Sequence, residues 1–266
     1  MKFLIPKEDT MSKLAFITGA TSGIGRATAE ALAEKGYRLV LAARNQEKLE
    51  DVAEDFRMKY NSEVTVYALD VRDRAAIRQV VSESLEKEGT PDVLVNDAGL
   101  ARGLEPYGET SADDIEQMID TNIKGLFFMT RAFLPAMLAR NTGHIINLGS
   151  TAGLYAYAGA AVYCATKAAV KTFSDGVRID VIDSDIKVTT IQPGIVETPF
   201  SEVRFHGDKE RAAAVYAGID ALHPEDIADV IAYVLSQPKR VQISDVVIMA
   251  NQQATGFMVS KKKQPK

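Results

Sequence analysis

The sequence predicts a single-domain α/β protein built on a doubly wound parallel sheet of about seven strands with helices on both faces. Short apolar segments alternate with longer amphipathic ones from Lys13 to Ala250, a pattern that is typical of alternating strands and helices. The apolar segments are rich in Val, Ile and Leu, as in strands that are buried on both faces. Because residues 13–250 contain no linker-like composition and no repeat, we expect one domain.

Five strands and four helices account for the first 150 residues. The predicted strands are LAFIT (14–18), YRLVLAA (37–43), EVTVYALD (63–70), DVLVN (92–96) and HIINLGS (144–150). The amphipathic segments between them predict helices that end near Lys35 and Tyr60 and helices that span 74–87 and 112–140. This alternation is what a parallel sheet requires, because consecutive parallel strands are usually joined by a helix.

The rest of the chain continues the alternation. We expect helices over residues 157–183 and from Pro224 onward, and strands at IKVTTIQP (186–193) and DVVIMA (245–250), with an irregular segment after residue 193. Residues 1–12 are interpreted as an N-terminal extension and residues 251–266 as a C-terminal segment with a basic tail. The lysines of this tail are Lys261, Lys262, Lys263 and Lys266. Chain ends of this kind are usually solvated and frayed.

Composition excludes several classes of protein. With 46% hydrophobic and 25% charged residues among 266, the chain is typical of a globular protein and not of a disordered or fibrous one. The net charge of −5 argues against a nucleic-acid partner. Cys164 is the only cysteine, which excludes an intrachain disulfide and fits a reducing compartment, so we expect the cytoplasm. No apolar run approaches the roughly 20 residues that span a bilayer, and Pro6 and Lys7 interrupt the N-terminal segment, so we expect neither a membrane anchor nor export.

A glycine-rich turn, TGATSGIG (18–25), follows the first strand and leads into the first helix. Gly19 permits a turn that is costly for other residues, Gly23 lets the backbone approach a pyrophosphate, and Gly25 permits close helix packing. The helix N-terminus then faces the phosphates. Turns also use glycine for purely steric reasons, but the position after the first strand favours a dinucleotide site. The residues assigned to this part of the site are Gly19, Thr21, Ser22, Gly23, Ile24 and Gly25.

The end of the second strand indicates which dinucleotide binds. NAD-selective sites usually place a carboxylate there, whereas this strand ends in two alanines followed by Arg44. A guanidinium pairs well with a 2′-phosphate, so we expect NADP(H), with Arg26 as a possible helper. The alternative is that Arg44 is an exposed arginine near a helix start. Asp70 and Val71, at the end of the third strand, are expected beside the adenine, although Asp70 is also placed to cap the next helix.

Three residues form a candidate catalytic group. Tyr163 and Lys167 are four residues apart, so on a helix they share one face. Ser150 ends the fifth strand, where doubly wound sheets place their ligands. An ammonium near a phenol stabilises the phenolate, and Lys167 thereby gives Tyr163 a reason to act as an acid-base catalyst. Each residue taken singly is more often a surface or capping residue, but the combination indicates alcohol and carbonyl interconversion with a nicotinamide.

These motifs identify a resemblance to the short-chain dehydrogenase/reductase family over nearly the whole of residues 13–250. The matching segments are TGATSGIG (18–25), NDAG (96–99), Asn122, Ser150, YCATK (163–167) and PGIVETP (193–199). The resemblance implies a Rossmann-like fold, with Tyr163 as general acid-base, Lys167 on the nicotinamide ribose, Ser150 on the substrate oxygen and Asn122 holding a relay water. It also implies a homotetramer.

The resemblance further implies cofactor contacts. It places Asn96, Ala98 and Gly99 along the cofactor and puts around the nicotinamide Pro193, Gly194, Ile195 and Thr198. The sequence departs from the family at Asp97, where asparagine is usual. This replacement keeps a similar size and adds a charge, so we expect altered local packing and little loss of function.

Longer segments resemble the family's NADP-dependent 3-hydroxy acid dehydrogenases: MIDTNIKGL (118–126), GHIINLGSTAG (143–153), YAGAAVYCATKA (157–168) and SEVRFHGD (201–208). The implied substrates are serine, allo-threonine, 3-hydroxyisobutyrate or 3-hydroxypropionate, or the matching semialdehydes. A carboxylate needs a cation near the site, and Arg204 lies in an irregular, lid-like segment. We hypothesise that Arg204 binds this carboxylate, and the alternative is a surface or subunit-interface arginine.

Other functional residues and functions are less well supported by the sequence. The spacing of His144, His206 and His223 predicts no metal site, and Cys164 points away from Tyr163 on a helix. The runner-up function is an NADPH-dependent reductase for another ketone, sugar or acyl-thioester, since the core motifs would be identical. A regulator that senses the cofactor without turnover is disfavoured by the intact catalytic set. A membrane-surface role for the lysine tail is weaker still.

Overall fold

A computed structural model describes residues 12–261 of the chain. The predicted N-terminal extension therefore lies outside the described residues except for Ser12, and the predicted lysine tail lies outside them except for Lys261. Residues 251–261 form a turn closed by a bridge between Gln253 and Val259, and Gln253 Oε1 ties this turn to the segment after β6 by accepting from Ile195 N at 2.9 Å. Within residues 12–261, no helix combines the length and the apolar character needed to cross a bilayer.

The described residues form one parallel sheet of seven strands, which confirms the predicted fold class. The strands are β1 (Leu14–Thr18), β2 (Arg38–Ala43), β3 (Val64–Ala68), β4 (Val93–Asn96), β5 (Gly143–Leu148), β6 (Ile186–Pro193) and β7 (Asp245–Ile248). Their order across the sheet is β3-β2-β1-β4-β5-β6-β7. The direction of winding reverses between β1 and β4, and in such sheets ligands bind at the carboxyl ends of the strands beside this switch point.

Helices cover both faces of the sheet, as predicted. Within the described part of the chain they are α1 (Gly23–Glu34), α2 (Gln46–Tyr60), α3 (Arg74–Lys87), α4 (Ala112–Ile119), α5 (Leu126–Arg140), α6 (Ala161–Asp180), α7 (Phe200–Arg204), α8 (Lys209–Tyr216) and α9 (Pro224–Ser236). One buried cluster joins the sheet to α1, α2 and α9, and a second joins it to α3, α5 and α6. The strands are apolar on both sides because each side meets one of these clusters.

The single helix predicted over residues 112–140 is wrong at its centre. A π-helical turn, Asp120–Gly125, separates α4 from α5 and contains the candidate residue Asn122. The amide of Asn122 bonds both main-chain groups of Leu100, which holds this turn against the loop after β4. Isolated π turns of this kind are frequent at functional sites.

Two other boundaries differ from the prediction. The helix expected over residues 157–183 begins at Ala161 and ends at Asp180. Gly159 delays its start, because it has a φ of +72° and packs against the Leu104 carbonyl, where a side chain would overlap. The segment after β6, expected to be irregular, contains α7 and α8. The helices in this segment are short, and the sequence pattern is too brief to reveal them.

Candidate active site

A cavity of about 980 Å³ opens at the carboxyl ends of β1, β4, β5 and β6. Its walls include most of the predicted site residues, namely Gly19, Thr21, Ser22, Gly23, Ile24, Arg44, Asp70, Val71, Ala98, Gly99, Ser150, Tyr163, Lys167, Pro193, Gly194, Ile195, Thr198 and Arg204. Four residues named from the sequence do not line it. These are Gly25, Arg26, Asn96 and Asn122, so their contributions, where they have any, act through neighbouring groups.

The glycine turn leaves room that larger residues would fill. Gly19 and Gly23 have φ values of +73° and +54°, which side chains rarely adopt. A Cβ on Gly25 would lie 2.5 Å from Asp97 Oδ2 and 2.6 Å from the carbonyl oxygen of Gly19. The side chain of Ser22, which precedes α1, makes no capping hydrogen bond, so it leaves the first N–H groups of the helix to other acceptors. The turn therefore fits a pyrophosphate in its cradle.

The cations on the cavity wall near the end of β2 differ from those that the sequence predicted. Arg44 is exposed and lines the cavity together with Lys48. Arg26 points to α2, where its Nη2 lies 3.3 Å from Asp55 Oδ2, and it does not line the cavity; its role as a helper of Arg44 stays a prediction. The signal that could have indicated Lys48 was its position one turn into the helix after Arg44, beside the helix N-terminus.

Asp70 belongs to the cavity wall and does not cap the following helix. The helix cap is Asp73, whose carboxylate accepts hydrogen bonds from the N–H groups of Ala75 and Ala76. Asp70 is bound by the guanidinium of Arg72, at 2.9 Å between Nε and Oδ1, and this hydrogen bond lowers the pKa of Asp70. The alternative interpretation of Asp70 as a cap is thus wrong.

The candidate catalytic residues Tyr163 and Lys167 are both buried on α6. Lys167 Nζ donates to the carbonyl oxygen of Leu148 at 2.7 Å, which fixes the ammonium at the end of β5. Ser150 follows β5, accepts a hydrogen bond from Ala152 N at 3.1 Å and lies beside the phenol of Tyr163. The three side chains therefore meet on one wall of the cavity, as the spacing predicted.

The electrostatic surroundings of Tyr163 differ from the expectation. Burial and, to a smaller extent, the neighbouring Tyr157 raise the pKa of Tyr163, the Arg204 cation and a Ser150 hydrogen bond lower it, and the pKa that results is about 12. Burial lowers the pKa of Lys167 to about 8, and the negative charge of Asp97 opposes this shift. The sequence suggested that the cation of Lys167 lowers the pKa of Tyr163, but in the structure that cation is Arg204.

Asn96 and Asn122 are buried next to the cavity and hydrogen-bond to neighbouring elements of the fold. Asn96 is buried under the sheet edge and donates through Nδ2 to Asn147 Oδ1 at 2.9 Å and to Thr130 Oγ1 at 3.0 Å. It does not line the cavity itself, and its position along the cofactor stays a prediction. Asn122 donates to Thr166 Oγ1 at 3.0 Å, and so links its π turn to α6, the helix that carries Tyr163 and Lys167.

Arg204 is buried at 9% exposure and reaches Tyr163, the candidate catalytic tyrosine, which contradicts the part of the alternative that makes it a surface arginine. Its guanidinium carbon lies 5.0 Å from the centre of the Tyr163 ring and 5.4 Å from that of Phe200. Nη2 donates to the Tyr157 hydroxyl at 3.1 Å, and Nε has no hydrogen-bond partner among the described residues. The sequence did not indicate Tyr157 or Phe200, although Tyr157 lies only six residues before Tyr163.

The segment that carries Arg204 is held over the cavity by the loop after β4. Gly103 N donates to the Arg204 carbonyl oxygen at 2.9 Å, and the guanidinium of Arg102 donates to the Val203 carbonyl. His206 Nε2 lies 3.2 Å from Asp114 Oδ2 on α4. These contacts make α7 one wall of the site. Across residues 12–261 no three His, Cys, Asp or Glu side chains form a metal-binding group.

Comparisons with known proteins agree with this geometry. The family model described as short chain dehydrogenase matches residues 13–209. The NADP-dependent 3-hydroxy acid dehydrogenase YdfG of Salmonella typhi is 45% identical over 237 residues, which are 89% of this chain and 94% of that protein. The NADP-dependent 3-hydroxy acid dehydrogenase of Schizosaccharomyces pombe is 43% identical over 252 residues, or 94% and 97% of the two chains.

Two solved structures extend the likeness to the fold. The closed form of serine dehydrogenase complexed with NADP+ superposes with a TM-score of 0.87 at 41% identity, covering 94% of this chain and 100% of that one. Serine dehydrogenase from Escherichia coli superposes with a TM-score of 0.78 at 38% identity, covering 91% and 99%. The similarity therefore spans the sheet, both helical layers and the cavity.

Proposed function

The chain belongs to the short-chain dehydrogenase family, and we propose that it transfers a hydride between NADP(H) and the 3-hydroxyl or 3-oxo carbon of a small 3-hydroxy acid. The substrates in this class are serine, allo-threonine, 3-hydroxyisobutyrate and 3-hydroxypropionate, or the corresponding semialdehydes. The observation that carries the proposal is the buried guanidinium of Arg204 beside the phenol of Tyr163. A cation at this position gives a carboxylate-bearing substrate a partner next to the reacting oxygen.

The cavity has the features that NADP(H) requires. The glycine turn would hold the pyrophosphate at the N-terminus of α1, and Arg44 with Lys48 would hold the 2′-phosphate. The residues that would line the nicotinamide end are Pro193, Gly194, Ile195 and Thr198, as the family resemblance implies. When bound, this cofactor supplies or accepts the hydride. The relatives named above are NADP-dependent by name, which supports the same choice of cofactor here.

The chain's own residues supply the proton chemistry. In the oxidative direction, the phenolate of Tyr163 takes the proton of the substrate hydroxyl while the C–H bond gives up its hydride. The hydroxyl of Ser150 would hold the same oxygen in place, and the cation of Arg204 stabilises the phenolate. Lys167, whose Nζ lies 6.0 Å from the centre of the Tyr163 ring, would hold the nicotinamide ribose, as the family resemblance implies. In the reductive direction, the same phenol donates its proton to the carbonyl oxygen.

Arg204 also restricts the size and charge of the substrate. Its guanidinium is held by the Tyr157 hydroxyl and packed on Phe200, so it has few ways to move away. Burial without an acidic partner leaves its charge uncompensated among the described residues, which favours binding of an anion. Because it contacts the Tyr163 ring, only a short carbon chain separates the bound carboxylate from the reacting carbon.

We infer that the protein assembles as a homotetramer. Ile179 and Ile182, in the last turn of α6 and just after it, are 71% and 76% exposed. Exposed apolar residues close together are a feature of subunit interfaces. Light scattering after size exclusion tests the tetramer, and a 28.9 kDa monomer would contradict it.

The single cysteine, Cys164, agrees with a reducing compartment such as the cytoplasm.

A substrate panel tests the proposed activity. Purified protein receives NADP or NAD with L-serine, L-allo-threonine, 3-hydroxyisobutyrate, 3-hydroxypropionate and a simple secondary alcohol, and absorbance of the reduced nicotinamide is followed. The Tyr163→Phe variant is the control for background reduction. We expect turnover of the hydroxy acids with NADP. Activity confined to the uncharged alcohol would favour a general carbonyl reductase, and NADPH binding without turnover would favour a cofactor-sensing regulator.

A further inference from the structure

Asp97 is an acidic side chain placed directly beneath the glycine turn. It follows β4, and its main-chain N donates to Thr18 Oγ1 at 3.1 Å, which ties the residue to the end of β1. The N–H of Gly25, in the first turn of α1, donates to its carboxylate. A Cβ on Gly19 would lie only 2.9 Å from Oδ2, so the turn and the carboxylate are in close contact. Asp97 also reaches the cavity wall.

Few charges surround this carboxylate. Within the described part of the chain, Lys167 on α6 is the one charged side chain whose field lowers the pKa of Asp97. The other elements that contact Asp97 offer uncharged groups: β1 the Thr18 hydroxyl, the glycine turn the main chain of Gly19, and α1 the N–H of Gly25. Burial raises the pKa of Asp97 to about 7, while Lys167 and the Gly25 N–H oppose the rise.

The N-terminus of α1 is shared by two negative groups when the cofactor is present. The positive end of the helix dipole and the free N–H groups would receive the pyrophosphate on the cavity side. Asp97 occupies the opposite side of the same turn and already uses the N–H of Gly25. Two like charges on one helix end repel each other, and a carboxylate in this setting reduces the repulsion by binding a proton.

We propose that Asp97 takes up a proton when NADP(H) binds, so that cofactor affinity depends on pH around neutrality. The proposal rests on NADP(H) binding and is independent of the substrate class. It assigns a role to the one residue at which the NDAG segment departs from the family pattern, since an asparagine at this position cannot titrate. The side chain acts on the cofactor through the turn and is a positioning residue.

Linkage sets the direction of the effect. If the free protein binds the proton less tightly than the complex, NADPH binding weakens as pH rises between the two pKa values of the carboxyl. In that interval the dissociation constant rises by up to about tenfold per pH unit. The 2′-phosphate of NADPH titrates near pH 6 as well, so the contribution of Asp97 is the difference between the wild type and a variant without this carboxyl.

Titration calorimetry of the intact oligomer with NADPH measures the protons directly. Binding enthalpies at pH 7.5 in buffers of different ionisation enthalpy give the number of protons taken up. We expect the wild type to take up roughly half a proton more than Asp97→Asn. Asp51→Asn is the matched control, because Asp51 is exposed on α2 and loses the same charge. Equal proton counts in the wild type and Asp97→Asn would overturn the proposal.

A second measurement covers the case in which Asp97→Asn folds poorly. An infrared difference spectrum of the wild type, with NADPH minus without it, reports a new protonated carboxyl directly. A carboxylic acid C=O band that appears with NADPH at pH 7.5 supports the proposal, and a spectrum without such a band contradicts it. Neither measurement needs turnover, so a failure of the proposed substrate class would leave these outcomes unchanged.

Discussion

The guanidinium carbon of Arg204 lies 5.0 Å from the centre of the Tyr163 ring, so one buried cation covers the face of the phenol that we propose as the acid-base catalyst. This contact joins two parts of the site that are far apart in the sequence, namely the acid-base group on α6 and the charged segment of α7. Cation contacts with an aromatic face are attractive, and they strengthen when both groups are withdrawn from water. The same arginine is therefore placed to affect proton transfer and substrate choice.

The Arg204→Gln variant should shift the pH dependence of alcohol oxidation to higher pH. Arg204 lowers the pKa of Tyr163, so its removal raises that pKa and less phenolate is present at neutrality. We expect the acidic limb of the kcat profile to move up by about one pH unit, measured with an uncharged alcohol. Arg211→Gln, which removes an exposed arginine of α8 stacked on Phe205, should leave the limb in place.

The Tyr163→Phe variant should lose nearly all turnover and keep its cofactor. A positioned general acid-base contributes about 10²- to 10⁴-fold in rate, and phenylalanine retains the packing of the ring on Phe200. Single-turnover kinetics and NADPH fluorescence separate the two properties. Tyr233→Phe alters an exposed tyrosine of α9 and should behave as wild type. Retention of more than a tenth of wild-type kcat in Tyr163→Phe would contradict the assigned role.

The Arg44→Ala variant should lose selectivity for NADP over NAD. A hydrogen bond between charged groups contributes about 1.5–3 kcal/mol, so we expect the dissociation constant of NADPH to rise about 10- to 100-fold. That of NADH should change little, because NADH has no 2′-phosphate. Arg26→Ala is the control, since Arg26 pairs with Asp55 outside the cavity. If Arg44→Ala weakened the binding of NADPH and NADH equally, Arg44 would not be the partner of the 2′-phosphate.

The buried His144 predicts acid sensitivity of the fold. Burial lowers its pKa from 6.5 to about 3, and its Nε2 lies 2.8 Å from Thr189 Oγ1. The unfolded chain therefore binds a proton that the folded one excludes, and stability present above pH 6.5 is lost as pH falls toward 3. The slope is about 1.4 kcal/mol per pH unit. Urea unfolding of His144→Gln should show a lower free energy at pH 7 and a flatter decline, whereas His223→Gln should keep the wild-type slope.

The fold was predictable because the strands and helices are long and strongly patterned. Strands such as 14–18 are buried on both faces, and a continuous apolar segment needs no knowledge of its partners to be recognised. The order β3-β2-β1-β4-β5-β6-β7 was not predicted, because the alternation of strands and helices does not say which strands are neighbours in the sheet. The π turn at Asp120–Gly125 was not predictable, because it depends on the contact of Asn122 with Leu100, which is distant in sequence.

The site was predictable where its residues share one element or one turn. Tyr163 and Lys167 meet because a helix places them four residues apart. Spacing cannot reveal contacts that depend on tertiary neighbours. Arg26 points outward to Asp55, and Arg204 points inward to Tyr157. The NADP-dependent 3-hydroxy acid dehydrogenases were inferred from long matching segments, and the comparisons support the same relatives.

The most direct test of the proposed function compares a substrate that has a carboxylate with one that lacks it. Both substrates are measured in the wild type and in a variant without Arg204. The quantity is kcat/KM with NADP for 3-hydroxypropionate divided by kcat/KM for propan-1-ol, in the wild type and in Arg204→Gln. If Arg204 binds the carboxylate beside Tyr163, the ratio is well above one in the wild type and falls about 10- to 100-fold in the variant. An unchanged ratio would show that Arg204 does not select the acid and would contradict the proposed substrate class.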